Sequence, residues 1–243
     1  MQTTNFWYQY HLYSKKIISL LLFSALCMCS FAQRNVMEND LKFARKPYHF
    51  GIHLAANFGD LKVKQNAAFA LSDSILSIKS KYGIGFEIGA VISYHINKYF
   101  EFRTVPSFAF NNKNLIYQFA DLSNADKKSL PQIYFDLPFE IKFKSEPLKD
   151  VKIYALAGIK YGYDIGANFK DRKKDNMPHQ LQHDFGVDYG IGLEIHFPLF
   201  ILAPEFKVFN SVLNIHKKEN GVYSKYIDGL HNRTFTFSLN FEG

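Results

Sequence analysis

Three residues in this chain have the types and spacing for acid–base or metal chemistry: His179, His183 and Asp184. A histidine beside a carboxylate can act as a general base, and two histidines four apart would share one face of a helix and could share a metal ion. Neither use is supported by the surroundings. No serine nucleophile setting accompanies the group, and Pro178 argues against the helix that the metal spacing needs. His49 and His53 fall on one side of an extended segment and read as hydrogen-bonded interior residues. The sequence therefore predicts no enzyme, no cofactor and no metal.

A larger ionisable set is strung along the chain: Glu87, Glu101, Arg103, Glu140, Lys142, Lys160, Glu194, Glu205 and Lys207. Each lies on the polar side of a segment that alternates apolar with polar or small residues. In the clearest segment Ile133, Phe135, Leu137, Phe139, Ile141 and Phe143 point one way, and Tyr134, Asp136, Pro138, Glu140, Lys142 and Lys144 the other. Period two is the signature of a strand. Carboxylates and cations on one face, mixed with glycine, suit a narrow interior closed by ion pairs. A packed ion-pair network that plugs the interior is the preferred reading over a gated path.

The pattern recurs eight times from residue 47 to the end, at segments that include 48–58, 84–95, 100–108, 132–144, 151–161, 184–197, 202–208 and 234–241. The links after the second, fourth and sixth copies are short, at 97–98, 145–150 and around Pro198. Those after the first, third, fifth and seventh are long, at roughly 59–82, 111–131, 165–183 and 211–231. Long loops outside and short turns in the periplasm mark a bacterial outer-membrane barrel. The expected fold is all-β, an eight-stranded antiparallel transmembrane β-barrel. A soluble up-and-down barrel such as a lipocalin has the same period with the apolar set inside. Against it stand the charge of both signs on the polar side, the aromatics near strand ends (Tyr99-Phe100, Tyr161 with Tyr163, Phe197 with Phe200) and the near absence of charge on the apolar side.

After a polar and aromatic prefix over residues 1–14 come a charged pair, Lys15-Lys16, then the apolar run from Ile17 to Leu26, then Ser30-Phe31-Ala32. That order reads as a signal peptide over residues 1–32, followed by a periplasmic N-terminal arm at 33–46 and the barrel at 47–243. Both cysteines, Cys27 and Cys29, lie in the signal, so a disulfide in the mature chain is excluded, and neither sits where lipidation requires it. The 29 basic and 22 acidic residues become 27 and 22 once the two signal lysines are removed. Basic loops at an outer surface are expected to meet outer-membrane lipid and acidic lipopolysaccharide. No aromatic-basic platform accompanies the charge, so nucleic acid is not an expected partner.

Finer expectations follow for particular segments. Ala67 to Lys81 could hold a short helix, though packing as a loop is preferred. Pro138 removes a ladder donor from a central strand, so Asp136-Leu137-Pro138 is expected to mark a bulge or locally open hydrogen bonding. An eight-stranded interior is just wide enough for side chains to fill it, which disfavours a diffusion pore.

Arg45-Lys46-Pro47-Tyr48-His49-Phe50-Gly51, Asp73-Ser74-Ile75 with Ile78, Phe102-Arg103 with Pro106, and Asp136-Leu137-Pro138 through Lys142-Phe143-Lys144-Ser145 occur in an order that resembles the PorT family of Bacteroidetes outer-membrane proteins. Tyr154 with Gly158, Lys160, Tyr161 and Asp164, Pro204-Glu205 and Phe241-Glu242 extend the resemblance across the barrel region. It implies a role in type IX secretion, with other secretion-system proteins as partners, and in gliding species a link to motility. Outer-membrane barrels often end in an aromatic residue, and this sequence departs from that habit: its last aromatic, Phe241, is followed by Glu242 and Gly243.

Overall fold

The computed structural model describes residues 47–66, 75–119, 126–166, 181–216 and 226–243. The predicted signal peptide and the 33–46 arm lie outside the described residues. Alternating sequence becomes ten strand segments: β1 (Tyr48–Gln65), β2 (Ile75–Lys81), β3 (Gly83–His95), β4 (Phe100–Thr104), β5 (Ser107–Phe119), β6 (Asp126–Lys144), β7 (Val151–Asp164), β8 (His183–His196), β9 (Ile201–Ser211) and β10 (Ile227–Glu242). They pair antiparallel in one ring, from β1 through β10, β9, β8, β7 and β6 to β4/β5 and β3/β2, which returns to β1. Since β2/β3 and β4/β5 are each one wall strand in two pieces, the ten segments make eight walls.

Each break has a local cause. Between Phe86↔Phe110 and Lys81↔Asn114, five steps on one strand face four on the other, so Tyr82 sits at a one-residue bulge. Between Thr104↔Phe139 and Ser107↔Asp136 the step is three on both sides, so nothing is inserted. The ladder simply lapses where Val105-Pro106 faces Leu137-Pro138, two prolines that cannot donate. Pairing of β6 with β7 runs unshifted through Pro138↔Lys160. Of the two alternatives expected at Asp136-Leu137-Pro138, the locally open ladder occurs and the bulge does not.

Closure can be followed through the partners Tyr48, Tyr94, Phe102, Ile141, Ala157, Tyr189, Val208, Phe235 and Phe58. The circuit starts on β1 at residue 48 and returns to it at residue 58, a stagger of ten residues. For eight strands at ordinary spacing this stagger corresponds to a tilt of roughly 40°. An even stagger also keeps inside and outside consistent after a full turn.

Outside and inside have the polarity opposite to that of a soluble domain. Ile84 is 73% exposed and Phe50 56%, while Glu101, Arg103, Glu140 and Lys142 are each at 0%. The soluble up-and-down barrel is excluded by this inversion. Aromatics collect at the short-turn end, with Phe100 against Phe143 (5.2 Å between ring centroids), Phe197 against Phe200 (5.1 Å) and Phe200 against Phe241 (6.1 Å). Phe241 is thus the last outward residue of β10, and Glu242 turns inward.

At the other end the polarity reverses. Along β1 the outward residues pass from Phe58 to Lys62 and Lys64, and the inward ones from Asn57 to Leu61 and Val63. On β5 the inward Leu115 and Tyr117 follow Lys113, and on β10 the inward Leu230 precedes Asn232. Leu61, Ile78, Leu115, Tyr117, Ile215, Ile227 and Leu230 form an apolar core in this region. Water has replaced lipid on the outside there, so the apolar residues move inside. Ten residues of β1 between Tyr48 and Phe58, at the tilt above, span about 25 Å, the height of an outer-membrane apolar band.

The expected loop boundaries change accordingly. Strand β1 continues to Gln65 and β2 begins at Ile75, so much of the expected 59–82 loop is strand, and Ile75–Lys81 is not helical. Residues 67–74 lie outside the described residues. Similarly β5 reaches Phe119 and β6 begins at Asp126, which shortens the expected 111–131 loop, and β10 begins at Ile227 within the expected 211–231 loop.

Candidate functional site

Among the described residues the buried charges gather in the barrel interior, and the strands position them by alternation alone. At the short-turn end Lys144 Nζ lies 2.6 Å and Lys142 Nζ 3.5 Å from Glu101, and Lys142 also lies 2.6 Å from Glu194. His49 Nε2 meets Glu242 Oε2 at 2.6 Å, and His95 Nε2 is 3.4 Å from Glu101. Donor atoms of His49, Glu101 and Glu242 fall within 4.8 Å of one another, which is a spacing that could hold a metal ion. The positive charge a metal would bring is already supplied by Lys142 and Lys144, so the carboxylates are ion-paired.

Arg103 occupies the centre. Its guanidinium reaches Glu140 at 2.8 Å and Glu205 at 2.6 Å, and all three side chains are fully buried. Lys207 Nζ approaches the same two carboxylates at 3.0 and 3.4 Å, and Tyr154 donates its hydroxyl to Glu205 at 2.8 Å. Glu87 accepts from Ser107 at 2.5 Å and from Asn57 at 3.1 Å, with His53 Nε2 3.5 Å away. His53 Nδ1 is also 2.6 Å from Asn240 Oδ1.

Nearer the loops, Lys160 pairs with Asp136 at 2.8 Å, and Lys113 donates to Asn232 Oδ1 at 2.6 Å. Asn232 in turn donates to Asp184 at 2.5 Å, and Ser211 also donates to Asp184. A polar cavity of about 10 Å³ lies among Lys113, Asp136, Lys160, Asp184 and Asn232, room for about one water. Above it, toward the long-loop end, lies the apolar core of Leu61, Ile78, Leu115, Tyr117, Ile215, Ile227 and Leu230.

The structure brings Glu101, Lys142 and Glu194 together, and likewise Arg103, Glu140, Glu205 and Lys207. Glu87 belongs to a separate group with His53, and Lys160 to one with Asp136. Residues beyond those singled out in the sequence also take part: His95, Lys113, Tyr154, Asn232 and Glu242. Their signal was parity, since Glu242 continues the inward series Thr234, Thr236, Ser238 and Asn240.

The candidate acid–base group does not assemble. His183 and Asp184 are consecutive on β8 and face opposite ways, His183 outward with Nδ1 2.6 Å from the Tyr161 hydroxyl, Asp184 inward. His179 lies outside the described residues. On the short turns, Lys98 and Tyr99 both donate to Glu146 (2.8 and 2.7 Å), and these hydrogen bonds hold its carboxyl below the ordinary carboxylate range.

A closed antiparallel barrel that turns apolar side chains outward over a membrane-high band and keeps its charges inside is a transmembrane barrel of the bacterial outer-membrane kind. The chain belongs to the outer membrane protein beta-barrel domain family, whose sequence model matches residues 31–217. Its location is the bacterial outer membrane. No curated protein matches the chain. Among solved structures it is similar to the outer membrane protein OprG from Pseudomonas aeruginosa, at 13% identity over 80% of this chain and 93% of that one, with a TM-score of 0.46. It is also similar to Ail, the attachment invasion locus protein of Yersinia pestis, at 14% identity over 82% and 100% of the two chains, TM-score 0.38. Neisserial surface protein A shares 12% identity over 79% and 95%, TM-score 0.39.

Proposed function

We propose that this protein is a non-enzymatic component of the type IX secretion machinery, needed for export of cargo proteins across the outer membrane. The resemblance to the PorT family suggests the system, and the filled lumen supports the kind of role. An interior closed by Arg103, Glu140, Glu205 and Lys207 offers no route for a polypeptide. The contribution to export is therefore made through surfaces, by holding other secretion-system proteins against the loops and the periplasmic arm. A second reading, a general small barrel for adhesion or envelope stability, is favoured by the apolar-cored extension beyond the membrane band, which could present a surface without any export role.

Export of a type IX cargo in a strain lacking the gene separates the two. Cargo held in the periplasm and released by complementation supports the secretion role. Normal export overturns it and leaves the surface reading.

A further inference from the structure

The outward residues just beyond the apolar band are not alike around the barrel. On β1 they are Lys62 and Lys64, on β2 Lys79 and Lys81, and on β10 Arg233, while the corresponding outward residues are Asn112 and Gln118 on β5, Tyr163 on β7, His183 on β8 and Asn210 on β9. Among the described side chains, every lysine and arginine at this outer level falls on three neighbouring walls. Two acids lie among them, and both are engaged: Asp60 with Arg233 at 2.9 Å, and Asp228 with Lys64 at 3.9 Å. Lys62, Lys79 and Lys81 are exposed and have no acidic partner within 4 Å among the described residues.

We infer that this patch is a binding site for the phosphate groups of the outer-leaflet glycolipid, lipopolysaccharide. Height decides the occupant. The cations begin within two outward positions of Phe58, Ile84 and Phe235, with Asp60 between Phe58 and Lys62 and Tyr82 between Ile84 and Lys81, and so lie where lipid headgroups meet water. A soluble anionic partner would be met by charges at loop tips, further from the band. Arg233 is held in place by Asp60, by the Tyr82 hydroxyl at 3.1 Å and by the Phe235 ring, whose centroid is 5.5 Å from the guanidinium carbon. Aromatic residues below and lysines above match a ligand with acyl chains below and phosphates above. The inference is independent of the secretion role.

Purified protein in detergent micelles carrying diphosphorylated lipid A, with bound lipid counted by native mass spectrometry, tests the site. K62Q/K79Q/K81Q should weaken binding roughly a hundred-fold, and K79Q or K81Q alone about five-fold. A K98Q/K149Q control, which removes cations from the short-turn end, should bind as wild type does. Lipid A stripped of its phosphates should bind wild type no better than the triple variant binds the intact lipid. Equal binding by wild type and all three patch variants overturns the inference, as does retention of dephosphorylated lipid. Displacement of lipid A by millimolar inorganic phosphate also overturns it, since the site would then be one for small anions. Heat-dependent gel migration verifies that each variant remains a closed barrel.

Discussion

Arg103 illustrates how one residue can carry a barrel interior. A guanidinium presents donors in a fixed planar fork, and here the fork spans two carboxylates from walls far apart in sequence, Glu140 on β6 and Glu205 on β9. Removing it leaves two buried carboxylates sharing the single ammonium of Lys207, one negative charge too many, and breaking a buried pair from one side costs about 3–5 kcal/mol. Arg103→Met should accordingly lower the urea midpoint of the purified protein sharply, and R103M/E205Q should recover part of the loss by removing one orphaned charge. An unchanged midpoint would mean that water or neighbouring lysines already neutralise the acids. Gly192 matters for the opposite reason. A Cβ placed there would overlap the ring of Tyr154, whose hydroxyl must reach Glu205. Gly192→Val should cost roughly 1–3 kcal/mol through overpacking, whereas Gly229→Val, where the atoms nearest a Cβ are those of the Asn214 side chain at 3.4 Å, should cost less in the same unfolding measurement.

At the scale of elements, the weak place is the seam between β4/β5 and β6. Pro106 and Pro138 interrupt the ladder, and the Thr104 hydroxyl donates to the Pro138 carbonyl at 2.7 Å in place of a backbone amide. Thr104→Val keeps the shape and removes that donor, so it should lower stability by about 1 kcal/mol; the same change at Thr234, away from the seam, serves as the comparison. The walls themselves were legible in the sequence because lipid and lumen impose a strict period of two, as in 132–144. Their upper ends were not. Above the membrane the period is unchanged but the polarity changes sides: Lys62 and Lys64 point out and Leu61 and Val63 point in. A reading that equates apolar with lipid-facing therefore stops near Phe58 and takes the rest of β1 for loop. The interior set was legible as a face and not as pairs. Arg103 and Glu205 meet across 102 positions of sequence, a contact fixed by the ten-residue stagger, which no single strand encodes.

At the scale of the barrel as a whole, the described strands form a filled cylinder set at a definite depth in the membrane. Filling predicts that protein reconstituted in a planar bilayer gives no porin-sized conductance steps; regular steps would mean that the network around Arg103 opens. Depth makes a sharper demand, because the reversal of polarity along β1, β5 and β10 fixes where hydrocarbon ends. Ile88 is outward and 48% exposed on β3, paired with Leu54 within the apolar band, whereas Gln118 is outward on β5 beyond the reversal. A lysine at mid-bilayer on the lipid face costs roughly 2–4 kcal/mol, and almost nothing near the interface. Ile88→Lys should thus impair folding into lipid vesicles, while Gln118→Lys should fold as wild type does, although both add one charge to an exposed strand position. In detergent micelles thin enough to wet residue 88 the difference should shrink. Equal folding of the two variants in vesicles would place the band elsewhere along the barrel, and with it the level at which the basic patch of β10, β1 and β2 meets the glycolipid phosphates.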